Sequence, residues 1–67
     1  MDEEALNTSV RKFLRTLGVT AQREIEKAVR EADAKGQLSG TTLPAKAVIT
    51  VGGIDLTFEI EGAIELA

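Results

Sequence analysis

Residue types that commonly carry catalytic chemistry are scarce in this sequence. Histidine, cysteine, tyrosine and tryptophan are all absent from its 67 residues. Ser9 and Ser39 therefore have no histidine base that could activate them as nucleophiles. A structural zinc ion would also lack its usual thiolate and imidazole ligands. The sequence predicts that the protein is not an enzyme, that it has no catalytic residue and no metal site, and that it binds no cofactor.

Carboxylates near the C-terminus are the remaining candidates for acid–base or metal chemistry. They lie on the outward face of a predicted strand, and they are Asp55, Glu59, Glu61 and Glu65. Carboxylate groups can transfer protons or bind Ca²⁺ and Mg²⁺. Here no loop is placed to surround an ion, and Lys46 is predicted to oppose Glu59. We therefore interpret them as a solvated strand face.

Three cations on a predicted helix, Arg23, Lys27 and Arg30, form the clearest polar pattern. They fall within roughly 60° of one another around the helix and face away from its apolar side. Such a stripe could contact a protein partner or the phosphates of a nucleic acid. The short link Gly18–Thr20 before it is compatible with a helix-turn-helix. Nucleic-acid binding is thus the alternative function, but the net charge of −3 and the absence of Tyr and Trp make nucleic acid an unexpected partner.

Two helices are predicted in the N-terminal half of the chain. Apolar residues at helical spacing form the buried stripe of the first helix, and Gly18 is predicted to end it. Thr20 is predicted to cap the second helix, which ends at Lys35-Gly36. The apolar stripe of the first helix comprises Leu6, Val10, Phe13, Leu14 and Leu17, and that of the second comprises Ala21, Ile25, Ala28, Val29 and Ala32.

A long β-hairpin is predicted from Leu43 to Leu66. Gly52-Gly53 favours a two-residue type I′ turn, because both central residues of such a turn need a positive φ. That turn would place the apolar side chains of both strands on one face, with the cross-strand pairs Val51–Ile54, Ile49–Leu56, Ala47–Phe58 and Ala45–Ile60. Gly62 is predicted to interrupt the second strand, so that the tail either bends over the helices or pairs elsewhere.

The predicted fold is α+β and forms a single domain over residues 1–67. Two N-terminal helices pack on one face of the C-terminal antiparallel hairpin (ααββ), with Phe13 and Phe58 in the core. A chain this short buries little surface and leaves both hairpin edges unpaired, which predicts completion by a homodimer. An unknown protein partner is also expected, by strand addition at residues 42–48 or at the tail that carries Ile64 and Leu66.

The composition and the N-terminus bear on where the protein acts. The absence of cysteine fits a reducing compartment. No signal peptide is visible, because the first residues are acidic, and no apolar segment has the length of a membrane span. We therefore expect a cytoplasmic protein with no membrane association, acting as a non-catalytic structural or protein-interaction module.

Several runs of the sequence resemble a family of very small bacterial proteins known only as a domain of unknown function. The runs are NTSVRKFL (7–14), GVT (18–20), QREIEKAVR (22–30), LPAK (43–46) and EGAIEL (61–66). This resemblance covers nearly the whole chain and implies a self-contained bacterial protein. It implies no activity and no site.

Overall fold

A single long helix forms the N-terminal half of the protein. A computed structural model describes all 67 residues, and its first element, α1, is an α-helix over Glu3–Ala34. A carboxylate oxygen of Asp2 accepts hydrogen bonds from the backbone N–H groups of Glu4 at 2.9 Å and Ala5 at 3.1 Å. Asp2 is therefore the N-cap, because it satisfies amides that have no partner inside the helix.

The helix ends in a Schellman motif at the predicted position. Gly36 has a φ of 68°, and its N–H donates to the carbonyl of Asp33 at 3.0 Å. The N–H of Gln37 donates to the carbonyl of Ala32 at 2.9 Å. These two bonds satisfy carbonyls of the last turn, and glycine reaches the left-handed conformation without a Cβ clash. The prediction that Lys35-Gly36 ends the helix is confirmed.

The prediction of two N-terminal helices is wrong, because α1 runs through Gly18 without a break. Gly18 does not have the positive φ that a helix-ending glycine adopts. A glycine inside a helix costs only about 1 kcal/mol relative to alanine. Val19 and Thr20, which follow it, continue the helix instead of forming a link. The helix-turn-helix interpretation and the capping role of Thr20 are overturned with it.

The C-terminal half is an antiparallel β-hairpin, as predicted, but its register differs. Strand β1 is Thr42–Val51 and strand β2 is Leu56–Glu65. Val51 pairs with Leu56, Ile49 with Phe58, Ala47 with Ile60 and Ala45 with Gly62. Each partner on β2 lies two residues later than predicted. Because side chains alternate with a period of two, this shift leaves the apolar residues together on one face.

A four-residue loop, Gly52–Asp55, replaces the predicted two-residue turn. Only Gly53 has a positive φ, at 87°, whereas a type I′ turn needs two such residues. The shifted register pairs Leu43 with Ile64, where the predicted register paired Leu43 with Gly62. The added apolar contact between these two large side chains is the physical reason that we assign to the shift.

Strand β2 continues through Gly62, so the predicted interruption there is wrong. The end of the hairpin is closed by further hydrogen bonds. Thr42 Oγ1 donates to Glu65 Oε2 at 3.0 Å, and the N–H of Leu66 donates to the carbonyl of Thr41 at 2.7 Å. The tail is therefore part of the hairpin.

The helix and the hairpin do not pack as two layers. The protein measures 51 × 20 × 18 Å, and a 32-residue helix alone is about 48 Å long, so the hairpin runs back beside α1. No Cα atom of α1 lies within 8 Å of a strand Cα atom. None of the 67 residues is buried, and Phe13 and Phe58, predicted to lie in the core, are 55% and 42% exposed.

Candidate interaction surfaces

The apolar positions of α1 form one continuous surface, which we call the helix stripe. Most of them recur at intervals of 11 residues, as in Leu6, Leu17 and Ala28. This spacing is close to three helical turns, so the stripe follows almost the same side of the helix throughout. The stripe comprises Leu6, Val10, Phe13, Leu14, Leu17, Ala21, Ile25, Ala28, Val29 and Ala32. The N-terminal half of the helix stripe lies open to solvent, where Leu6, for example, is 44% exposed.

The hairpin carries a second apolar surface, which we call the hairpin face. It consists of Leu43, Ala45, Ala47, Ile49, Val51, Leu56, Phe58, Ile60 and Ile64. Burial on this face is uneven. Leu43, Ala45, Ile49 and Ile64 are half-buried, whereas Leu56, Phe58 and Ile60 are exposed. Most of the hairpin face contributed by β2 is therefore uncovered.

Ile64 and Leu66, the predicted partner contacts of the tail, lie beside the chain's own helix. Together with Ile25 and Val29 they line a shallow groove between α1 and the end of β2. Ile64 and Leu66 are half-buried there. One side of the C-terminal half of α1 is thus already used by the hairpin.

The predicted cation stripe is longer than the sequence indicated. Arg23, Lys27 and Arg30 lie on the same helix as three further cations, Arg11, Lys12 and Arg15. Because α1 is unbroken, five of the six lie on the half of the helix surface opposite the apolar residues, and Arg11 lies at its margin, at the same angle around the helix as Val29. Arg30 Nη2 is 3.8 Å from Glu26 Oε1, and both side chains are largely exposed. We call these six residues the basic face.

Sequence reasoning missed the basic face because Gly18 was taken as the end of a helix. If the helix broke there, the first three cations and the last three would lie on two separate helices and would not share one face. The 11-residue apolar repeat across Gly18 is the signal that could have identified one helix. It crosses the glycine without a change of phase.

The carboxylates of β2 do not form a compact site. Asp55 lies in the turn loop, and the strand carries Glu59, Glu61 and Glu65 on its polar face. Lys46 Nζ is 3.6 Å from Glu59 Oε1, so the two side chains are in contact, but the predicted position of Glu59 directly opposite Lys46 is wrong, because Lys46 pairs with Glu61. No group of His, Cys, Asp or Glu side chains is arranged to hold a metal ion.

Concave features of the protein are shallow, and two of them lie along the first turns of α1. Glu3, Asn7 and Arg11 contribute to both grooves, and no other element takes part. A groove made by one helix does not bring groups from different elements together around a substrate. Although α1 is long, it contains no apolar stretch that could cross a membrane.

Comparison with known proteins identifies a family without adding a function. No curated protein and no solved structure matches the chain. One family model matches from the first residue to the last, residues 1–67. The chain therefore belongs to the family of unknown function DUF6494.

Proposed function

We propose that the protein is a non-catalytic, self-associating module with a structural or protein-interaction role, in which two copies cover each other's helix stripe and hairpin face. The observation that carries this proposal is that none of the 67 residues is buried in the single chain. A folded chain is held together mainly by removing apolar surface from water. This chain has two ordered apolar surfaces whose burial a second copy would complete.

The exposed area supports a dimer of ordinary size. The chain exposes 5913 Å², whereas a compact protein of 7.1 kDa exposes about 4,100 Å². The excess is about 1,800 Å² per chain, or about 3,600 Å² for two chains. Obligate homodimers bury about 2,000–5,000 Å² in total, so the excess has the size that one such interface would remove.

The side-chain inventory supports a role without catalysis. The chain has no histidine, cysteine or tyrosine, which are the usual proton-transfer and nucleophilic groups besides the carboxylates and amines. The carboxylates are spread along an open strand face, and the grooves near Glu3 and Arg11 belong to one helix.

The oligomeric mass tests the proposal directly. Light scattering after size exclusion should give twice the 7.1 kDa chain mass at micromolar concentration. Leu17→Glu should abolish self-association, because it places a charge in the centre of the helix stripe. Val19→Glu is the matched control, since Val19 lies on the opposite side of α1 and is 54% exposed. A helical monomer at the same micromolar concentration, or equal effects of the two variants, would contradict the proposal.

The basic face supports nucleic-acid binding as a second candidate function. Its six cations extend from Arg11 to Arg30 on one helix, a distance of about 28 Å at 1.5 Å per residue. Cations that neutralise phosphates release counterions, so the affinity should fall steeply with salt. The test is fluorescence anisotropy with a random-sequence duplex at two salt concentrations, comparing the native chain with Arg23→Gln/Lys27→Gln. Absence of binding at low salt would exclude this function.

A further inference from the structure

The two halves of the helix stripe differ in side-chain size, and this difference indicates how two helices would pair. We infer that α1 packs antiparallel against α1 of a second copy, with the bulky N-terminal half of one helix against the small C-terminal half of the other. This inference rests on the self-association proposed above and adds its geometry. Along the helix axis, the midpoint of the pair lies level with Val19, the middle of each helix.

Side-chain volume favours the antiparallel direction. The N-terminal half of the stripe is bulky throughout, with Leu6, Phe13 and Leu17, whereas the C-terminal half has the small residues Ala28 and Ala32 beside Ile25 and Val29. Parallel helices would place Phe13 against Phe13 and Ala28 against Ala28, which crowds one end and leaves a gap at the other. Helix axes pack 8–10 Å apart according to the side chains between them. Large residues facing small ones keep that spacing uniform.

The antiparallel direction produces regular pairs along the stripe. With the centre near Val19, Leu6 faces Ala32, Val10 faces Ala28 and Leu17 faces Ala21. Each of these three pairs combines a larger residue with an alanine, whereas Phe13 faces Ile25, so one pair along the stripe is large on both sides. The residues of the three mixed pairs lie within about 60° of one another around α1, apart from Ala32 at the margin. The stripe therefore offers one continuous seam to the second helix.

Charges at the helix ends favour the same direction. Glu3 and Glu4 lie in the first turn, and Lys35 is the C-cap residue. In the antiparallel pair Glu3 faces Lys35 of the second copy at each end. In a parallel pair, the acidic first turns would lie side by side and repel each other. The dipoles of antiparallel helices also place opposite partial charges together.

The hairpin covers one margin of this seam and leaves most of it open. Ala21 and Ala32 are half-buried in the single chain, whereas Leu6, Val10, Leu17 and Ala28 are exposed. Ile25 and Val29, on one margin of the stripe, face the tail at Ile64 and Leu66. The line through Leu6, Val10 and Leu17 lies about 60–100° further around α1 than Ile25. A second helix can therefore occupy the seam without displacing the hairpin from its own helix.

Disulfide formation between introduced cysteines tests whether the two helices are antiparallel. The chain has no cysteine of its own that could form a competing disulfide. Leu6→Cys and Ala32→Cys are mixed, refolded together from urea and oxidised. The mixture should give a covalent product of twice the 7.1 kDa chain mass, while neither variant alone should do so. In the antiparallel pair the two copies of residue 6 are about 39 Å apart, far beyond the reach of a disulfide. Val10→Cys with Ala28→Cys repeats the test at a second pair.

A matched control uses the opposite side of the helix. Thr8→Cys and Arg30→Cys have the same positions along the axis as a facing pair, but both lie outside the stripe, so their mixture should not cross-link. Cross-linking of Leu6→Cys alone would mean parallel helices and would overturn the inference. Absence of any cross-link in chains that light scattering shows to be dimers, and circular dichroism shows to be helical, would also overturn it while leaving the proposed function intact. If the native chain is a monomer, both the antiparallel pairing and the proposed self-association are wrong.

Discussion

Lys46 Nζ lies 3.6 Å from Glu59 Oε1, although the backbone pairs Lys46 directly with Glu61. The ion pair is therefore diagonal across the hairpin. Diagonal neighbours in an antiparallel sheet are within reach of long side chains such as lysine and glutamate. This explains how the predicted contact is present in a register that differs from the predicted one by two residues.

We expect this ion pair to contribute little to stability. Its two side chains are 53% and 55% exposed, so water and salt screen the interaction. A double-mutant cycle with Lys46→Ala and Glu59→Ala should give a coupling energy of about 0.2–0.5 kcal/mol that vanishes in 1 M salt. The same cycle with Glu61→Ala should give a smaller value. A larger coupling for Glu61 would mean that the lysine follows the backbone pairing.

Gly18→Ala should stabilise the protein, because the residue lies inside one continuous helix. A Cβ at this position meets no atom within 4 Å. Alanine is favoured over glycine in a helix interior by up to about 1 kcal/mol, so the free energy of unfolding in urea should rise by roughly that amount. A loss of stability would instead favour a break in the helix at this residue.

Gly36→Ala is the opposite case and serves as a comparison. A Cβ added at Gly36 would also meet no neighbouring atom, but the φ of this residue is positive, at 68°. An L-residue in this conformation is strained by about 1–2 kcal/mol. We expect urea unfolding to show destabilisation of this size. The two glycine variants should therefore differ in sign although neither creates a steric clash.

Asp2→Ala should weaken the start of the helix. The carboxylate of Asp2 accepts hydrogen bonds from the amides of Glu4 and Ala5. Loss of such a cap costs about 1 kcal/mol, which should appear as a lower unfolding midpoint. Asp2→Asn should retain most of the stability, since asparagine caps helices about as well as aspartate. Equal losses in both variants would indicate that charge, and not the hydrogen bonds, is the important factor.

Ile60→Ala and Val48→Ala test whether the hairpin face is covered in solution. In the single chain the two side chains are similarly exposed, at 57% and 53%. If the single chain determined stability, both substitutions should lower the free energy of unfolding by similar small amounts. If a second copy covers the hairpin face, Ile60→Ala should cost about 2 kcal/mol or more, and Val48→Ala, on the polar face, less than about 0.5 kcal/mol. The midpoints should be measured at several protein concentrations, and equal effects would contradict coverage.

Local relations along the chain were readable from the sequence. The end of the helix at Lys35-Gly36 depends on a cation and a glycine next to each other, and the apolar faces depend on spacings of two to four residues. The placement of Lys46 and Glu59 on the same polar face follows from the same alternation. Each of these features is determined by neighbours in the chain, so no knowledge of the tertiary structure is needed.

Continuity of the helix and register of the hairpin were decided by the three-dimensional structure. Gly18 is compatible both with a helix end and with a helix interior, since the two differ by only about 1 kcal/mol. Sliding β2 by two residues preserves its faces, so the alternating pattern alone does not distinguish Val51–Leu56 from Val51–Ile54. The position of the hairpin beside α1, with Ile64 and Val29 lining the same groove, depends on residues far apart in the chain, which local patterns do not encode.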